Sequence, residues 1–468
     1  VPDAAWYAVG VLAFVVGLAV SIGLHEIGHL VPAKRYGVRV TQYMIGFGPT
    51  VWSKVRGETE YGIKAIPLGG YIRMIGMFPP ADPARAASAQ VPRHVAEADA
   101  AAAGVPVGRS GTSGIFTGLI EGARAQSLEE FRPGDEKRAF YALKVRQKLV
   151  VMLGGPVMNL LLGSLLIGGI VTMYGAAELT TRVDVVSRCV LPVDAPADAQ
   201  CGADDPAAPA AAAGIRPGDV ILSVAGTATP TWEDVRTAIR DSGGRPVDVV
   251  VERDGGQQVL RATPIVADVP VLDADGAPVT EGGEPVLTRA GFLGVAPTSE
   301  VVRQPVTAVP GLVADTVVDV AGILVRLPSH LAGVAEAAFG DAERDPDGPV
   351  SIVGVGRLSG EIAADGEELL GLDAAGRVAA FLGVLGSLNI ALFVFNLVPL
   401  LPLDGGHAAG ALWEGIRKAW ARVRSLPEPP PVDVAKALPL AYGVAIVLLG
   451  MSALLIYADI VRPITLTG

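Results

Sequence analysis

Four stretches of this chain carry no charged side chain over a length that crosses a bilayer: Ala4–Leu24, Leu149–Ala177, Val378–Leu403 and Ala437–Ala458. About 20 residues at ~1.5 Å rise match a ~30 Å hydrocarbon core, so each stretch predicts a transmembrane helix. With 50% hydrophobic and 18% charged residues, a wholly soluble globule is excluded. The glycines and prolines follow no three-residue period, which excludes a collagen-like chain. A net charge of −11 without a concentrated basic face argues against a nucleic-acid partner.

The first apolar run lacks a basic leading region and a small-residue cleavage site, and it leads straight into His25 and Glu26, so it is expected to be retained. Lys and Arg crowd the ends of residues 33–147 and 405–435, whereas Thr180 to Glu368 is acidic. The positive-inside tendency then places 33–147 and 405–435 in the cytoplasm, with 178–376 and both termini outside. Val306–Val325 is apolar but interrupted by Asp315 and Asp319, a pattern that predicts an amphipathic helix of the external region. An Ala-, Pro- and Gly-rich segment between Phe78 and Glu136 reads as a flexible cytoplasmic insert.

At the end of the first run stands His25-Glu26-Ile27-Gly28-His29. On a helix the i, i+4 spacing turns both imidazoles to one side, where they can share a metal, with Glu26 beside them as a base. A catalytic zinc needs a third protein ligand. The third run ends in Asn396-Leu-Val-Pro399-Leu-Leu-Pro402-Leu-Asp404-Gly-Gly-His407, and under the topology above Asp404 reaches the same membrane depth as His25. Pro399 and Pro402 break the helix there and free Asp404 to turn. His407 and the remote His94 are rival third ligands.

These motifs resemble the site-2 protease family of intramembrane zinc metalloproteases, most closely its bacterial regulator-of-sigma-E protease branch. The resemblance rests on His25 to His29, on Asn396 through Gly406, and on Gly154-Gly155-Pro156-Val157-Met158-Asn159. It implies one Zn²⁺ per chain on His25, His29 and Asp404, Glu26 as general base, and Asn396 and Asn159 near substrate. It also implies a multi-pass protein of the bacterial inner membrane that cuts single-span membrane proteins, such as anti-sigma factors or remnant signal peptides. Its partners are then those substrates and the lipid bilayer, and the oligomeric state is not specified.

Two further regions fit the resemblance. Val40–Pro49 and Tyr61–Met74 read as β segments, and the family places a membrane re-entrant β element there whose edge, around Gly69, Gly70 and Tyr71, would pair with an unwound substrate. Ala212-Ala-Gly-Ile-Arg-Pro-Gly-Asp219-Val-Ile-Leu-Ser-Val-Ala225-Gly226 resembles the core of bacterial PDZ domains, with Trp232–Ile239 as the groove helix and Val247–Val251 and Gly291–Val295 as strands. Ala225 departs from the Asn or Asp usual in that turn. Cys189 and Cys201 lie in the same external region, where a disulfide persists.

The expected architecture is therefore a polytopic α-helical membrane protein with four transmembrane helices, a membrane-associated β hairpin and one external PDZ domain. Its parts are helix 1 (1–32), the re-entrant β element (38–76), the flexible insert (77–140), helix 2 (147–177), the PDZ domain (182–300), an external helical region (301–376), helix 3 (377–404), a cytoplasmic loop (405–435) and helix 4 (436–460). The competing class is a membrane-anchored PDZ scaffold with a vestigial or structural metal site. A metal transporter would want ionisable groups along several spans, and none is expected in spans two and four.

Overall fold

The computed structural model describes residues 2–79, 122, 130–190, 201–202, 206–271, 279–281, 284–340, 344 and 348–464. Most of the insert, and His94 within it, lies outside the described residues. In chain order come α1 (Pro2–Arg35), β1 (Val40–Arg56), β2 (Thr59–Met74), α2 (Val145–Met173), β3 (Ala176–Val186), α3 (Pro209–Ala213), β4 (Val220–Val224), β5 (Thr227–Ala228), α4 (Trp232–Asp241), β6 (Val247–Arg253) and β7 (Gly256–Ala262). Then follow β8 (Ile265–Pro270), β9 (Thr280–Glu281), β10 (Glu284–Pro285), β11 (Leu287–Phe292), β12 (Val295–Val302), α5 (Val309–Phe339), α6 (Ile352–Leu370), α7 (Ala374–Leu397), α8 (Asp404–Val423) and α9 (Leu438–Val461). Two units result, one of Val1–Tyr174 with Pro305–Gly468 and one of Gly175–Gln304.

The first unit is a helical bundle. Gly17 of α1 faces Leu385 of α7, and one turn further on Asn389 Nδ2 donates to Ser21 Oγ at 3.0 Å, so α1 and α7 run in the same direction. Gly28 lies against Gly154 and Gly163 against Ile390, so α2 runs opposite to both. At the Gly28–Gly154 crossing a β-carbon on either residue would collide with the other's carbonyl, so glycine is what lets the two backbones touch.

Among the described residues five helices, rather than the four expected, are long and apolar enough to cross a membrane by length and composition: Ala4–Arg35, Val145–Met173, Val306–Phe339, Ala374–Leu397 and Val434–Val461. The additional one is the segment that Asp315 and Asp319 interrupt, the feature that reads from sequence as an amphipathic external helix. Four residues apart, those acids share one face and leave the others apolar. Val313 of this helix, α5, packs with Ile390 and Val394 of α7, so it belongs to the bundle and not to the 175–304 unit.

The helices also end elsewhere than the uncharged runs do. α7 stops at Leu397, ahead of Pro399, and a turn leads to α8. α2 starts early enough to include Lys148, and α9 runs on to include Asp459, both buried. Spans two and four therefore do hold ionisable groups. A charge is tolerated there because it is paired: Lys148 Nζ donates to Glu414 Oε2 at 2.7 Å, and Asp459 accepts from Arg344 at 2.8 Å and from the Ser351 amide at 2.6 Å.

Between α1 and α2, both β strands fold back on themselves. Gln42 to Ile45 lie between Glu60 to Ile63 on one side and Gly70 to Arg73 on the other, while Trp52 to Arg56 cover the far side of Thr59 to Ile63. Residues 70–74 thus form an edge without a further strand beside it among the described residues. Phe47, Val51, Trp52, Val55, Ile63 and Ile66 leave a broad exposed apolar surface on this element.

The second unit is a β domain with a sheet of order β12-β3-β4-β6-β7 and β5 beside β4. Val235 and Ile239, one turn apart on α4, pack with Ile221, Val224, Val249 and Val251 into its core. Gly291–Val295, read from sequence as one strand, is the junction of two. Gly294 takes a left-handed φ of 83°, ending β11's course and starting β12 in a new sheet. Cys189 and Cys201 are joined by a disulfide.

Candidate metal centre

α1 remains helical through residue 35, so His25 and His29 stand one above the other on the face turned to α2. The turn after α7 brings Asp404 to the same place. Asp404 Oδ2 is 3.2 Å from His25 Nε2 and 3.2 Å from His29 Nε2, and the two Nε2 atoms are 3.2 Å apart. An ion held tetrahedrally at about 2.0–2.1 Å separates its ligands by about 3.3 Å, so the triangle has the right size for zinc.

Proton bookkeeping supports the same reading. His29 Nδ1 lies 2.7 Å from the Val151 carbonyl oxygen, which can only accept, so Nδ1 carries a hydrogen, and in the neutral imidazole Nε2 then presents a lone pair. That lone pair and the Asp404 carboxylate converge on one point, an arrangement a cation satisfies. Space is kept for it by Gly155 of α2. A β-carbon there would collide with His29 Nε2 and sit 2.7 Å from His25 Nε2.

Glu26 is buried beside this cluster, 8% exposed, and its Cγ lies 3.1 Å from where a β-carbon of Gly70 would be. The edge segment of β2 therefore abuts the carboxylate. Tyr71 stacks on Phe47 with ring centroids 6.3 Å apart, and Gly69 has a left-handed φ of 87°. The His25 and Asp404 side chains keep 13% and 21% exposure, so the centre is reachable.

Of the residues singled out from sequence, the fold gathers His25, His29, Asp404, Glu26 and Gly70. Asn159 is fully buried on α2 one turn beyond Gly155, and among the described residues neither polar atom of its amide has a partner. Asn396 is half-buried near the end of α7. His407 lies one turn past Asp404 and outside the cluster of candidate ligands. Sequence reasoning missed the Val151 carbonyl, the Gly155 cradle and the buried Ser21–Asn389 pair. The Gly154-Gly155 pair was visible, but only the helix crossing reveals its purpose.

Comparison with known proteins agrees with this geometry. The pattern of peptidase family M50 matches residues 13–426. The chain is similar to the zinc metalloprotease Rip1 of Mycobacterium tuberculosis (strain H37Rv), 32% identical over 98% of this chain and 99% of that protein. It is also similar to the metalloprotease MmpA of Caulobacter vibrioides, 26% identical over 86% and 85% of the two chains. The zinc metalloprotease RasP of Geobacillus kaustophilus is 27% identical over 54% and 62%.

Proposed function

The chain belongs to peptidase family M50, the site-2 proteases, and from that premise we propose how this multi-pass zinc metalloprotease carries out intramembrane proteolysis. One Zn²⁺ per chain would be held by His25, His29 and Asp404. The observation that carries this assignment is the 3.2 Å triangle of Nε2, Nε2 and Oδ2 around the Gly155 cradle. When bound, the ion polarises the scissile carbonyl and acidifies a water. Glu26, buried beside the cluster, is the carboxylate placed to take a proton from the attacking water and give it to the leaving amine. Val151 keeps His29 in the tautomer that ligates. Asn159 and Asn396 supply hydrogen bonds near the substrate chain.

A peptide bond inside a substrate helix is shielded by its own hydrogen bonds, so the substrate must unwind. Gly69, Gly70 and Tyr71 offer the strand edge to which an unwound segment adds, next to Glu26. The exposed apolar surface of β1 and β2 favours their lying in the membrane. Substrates are single-span membrane proteins such as anti-sigma factors or remnant signal peptides, and the 175–304 unit is a PDZ domain that selects among them on the extracytoplasmic side of the membrane.

Chain direction favours four crossings. α1 and α7 run in parallel to one shared centre with α2 opposed, so α5 and α6 either both cross or neither does. α6 carries five charged residues in its 19, Arg357, Glu361, Asp365, Glu367 and Glu368, which argues for neither. Both termini and the 175–304 unit then lie outside the inner membrane. Family membership leaves the scaffold alternative without support.

The test is metal content and cleavage of a truncated single-span reporter by purified protein. Glu26→Gln is expected to retain about one zinc and lose cleavage by a factor of at least 10². Asp404→Ala is expected to lose both. Cleavage by Glu26→Gln at the wild-type rate would remove the base assignment.

A further inference from the structure

The last part of the segment read from sequence as a flexible insert, residues 130–138, instead grips the foot of the β edge. Glu130 reaches two segments at once, accepting from Arg73 Nη1 of β2 at 2.8 Å and from Thr41 Oγ1 of β1 at 2.9 Å. Its backbone carbonyl accepts from Arg39 Nη1 at 3.1 Å. Arg39 is 5% exposed and pairs at 2.5 Å with Asp135, also 5% exposed, whose Oδ2 in turn accepts the Arg132 amide at 3.0 Å. Main-chain bonds complete the seam: Arg39 N to Arg138 O, Ile75 N to Arg39 O, and Phe140 N to Ile75 O at 3.2, 3.1 and 2.9 Å.

Two consequences follow from where this seam lies. Arg73 and Thr41 sit at the root of the 70–74 edge, whose other end, Gly70, abuts Glu26. A few residues on, the same segment enters α2 at Val145, the helix that supplies the Val151 carbonyl and the Gly155 cradle. An isolated exposed ion pair contributes little. Here one carboxylate ties two strand segments, and a buried pair cannot lose a partner without stranding the other charge.

We propose that residues 130–138 form a polar staple whose Glu130, Asp135, Arg39 and Arg73 are positioning residues, holding the β edge in register with Glu26. The proposal rests on the reading of that edge as the substrate's docking strand. Among the described residues the staple makes no hydrogen bond or ion pair to His25, Glu26, His29 or Asp404. Its loss is expected to weaken substrate engagement and leave metal binding intact.

The experiment uses the full-length protein in detergent with the same single-span reporter, comparing Glu130→Ala, Arg73→Glu, Glu130→Arg and the charge-swapped double Arg73→Glu/Glu130→Arg. Asp135 is left in place, because removing it would bury an unpaired Arg39. Expected are about one zinc in every variant, a KM raised roughly tenfold in the single variants with kcat within about threefold, and faster amide exchange at residues 70–74. The double variant should recover most of the KM. Single variants with wild-type KM and unchanged exchange would overturn the staple, as would a double variant no better than either single one. A separate arm uses Gly70→Val, whose side chain would press on Ile22, the Met44 carbonyl and Glu26 and so displace the edge. If it cleaves normally while Glu130→Ala still frees the 70–74 amides, the docking-strand reading fails and the staple does not.

Discussion

At the scale of single residues, the two positions that matter most beyond the ligands are small ones. Gly155 looks in sequence like part of a helix-packing motif, yet it borders the imidazole nitrogens. Gly155→Ala is expected to put a methyl group into the ion's space, so that purified protein holds well under half a zinc per chain and does not cleave, with helical content by circular dichroism unchanged. Full zinc occupancy in that variant would contradict the cradle. Ala225 is the other. It departs from the usual Asn or Asp of its turn, and the fold holds it at a left-handed φ of 53° next to Gly226 at 81°. Such a conformation costs an alanine about 1 kcal/mol. Ala225→Asn should therefore stabilise the turn by about 0.5–1 kcal/mol, seen as slower amide exchange in β4 and β5. Exchange that speeds up instead would mean the side chain there does something other than occupy a turn.

At the scale of elements, ion pairs decide where helices and loops can end. Asp219 closes the Gly-Ile-Arg-Pro-Gly-Asp loop by accepting two bonds from Arg253 of β6, both 2.7 Å, and one from the Arg216 amide at 2.8 Å. Burial alone would push its carboxyl up, but the Arg253 guanidinium and the Arg216 amide outweigh it and hold Asp219 below the usual aspartate range. A group depressed in the folded state contributes stability that is full above its unfolded value of about 3.9 and is lost as pH falls through its folded value. Exchange protection of β4 and β6 in Asp219→Asn should consequently lag wild type at pH 7, with the gap closing only below about pH 4. A gap of constant size down to pH 2 would assign the effect to shape rather than charge. Lys148 with Glu414 and Asp459 with Arg344 follow the same logic in the bundle, and they explain why helices α2 and α9 outrun the uncharged stretches.

At the scale of the molecule, four crossings predict that cysteines placed at Thr227 and Gly340 react with an impermeant maleimide in intact cells, and that one at Ser425 reacts only after permeabilisation. If Gly340 grouped with Ser425 instead, α5 would be a crossing span. Much of this architecture was legible without coordinates. Hydrophobic runs specify bundle helices by themselves, because a backbone in lipid has no alternative to bonding within its own helix. His25, Glu26 and His29 were legible because one helical turn fixes their relation, and Asp404 because Pro399 and Pro402 mark where a helix must stop. What the sequence could not disclose depended on pairs distant along the chain. The carbonyl that selects His29's tautomer lies 122 residues away, and the carboxylate holding Lys148 lies 266 residues away. The fold-back that leaves residues 70–74 as an edge is a matter of register, as is the break between β11 and β12. Local physics thus determined where most of the bundle helices run and which side chains are candidate ligands. Only tertiary packing decided which backbone carbonyl, glycine and counter-charge would complete them, because each of those contacts exists only once separate elements touch.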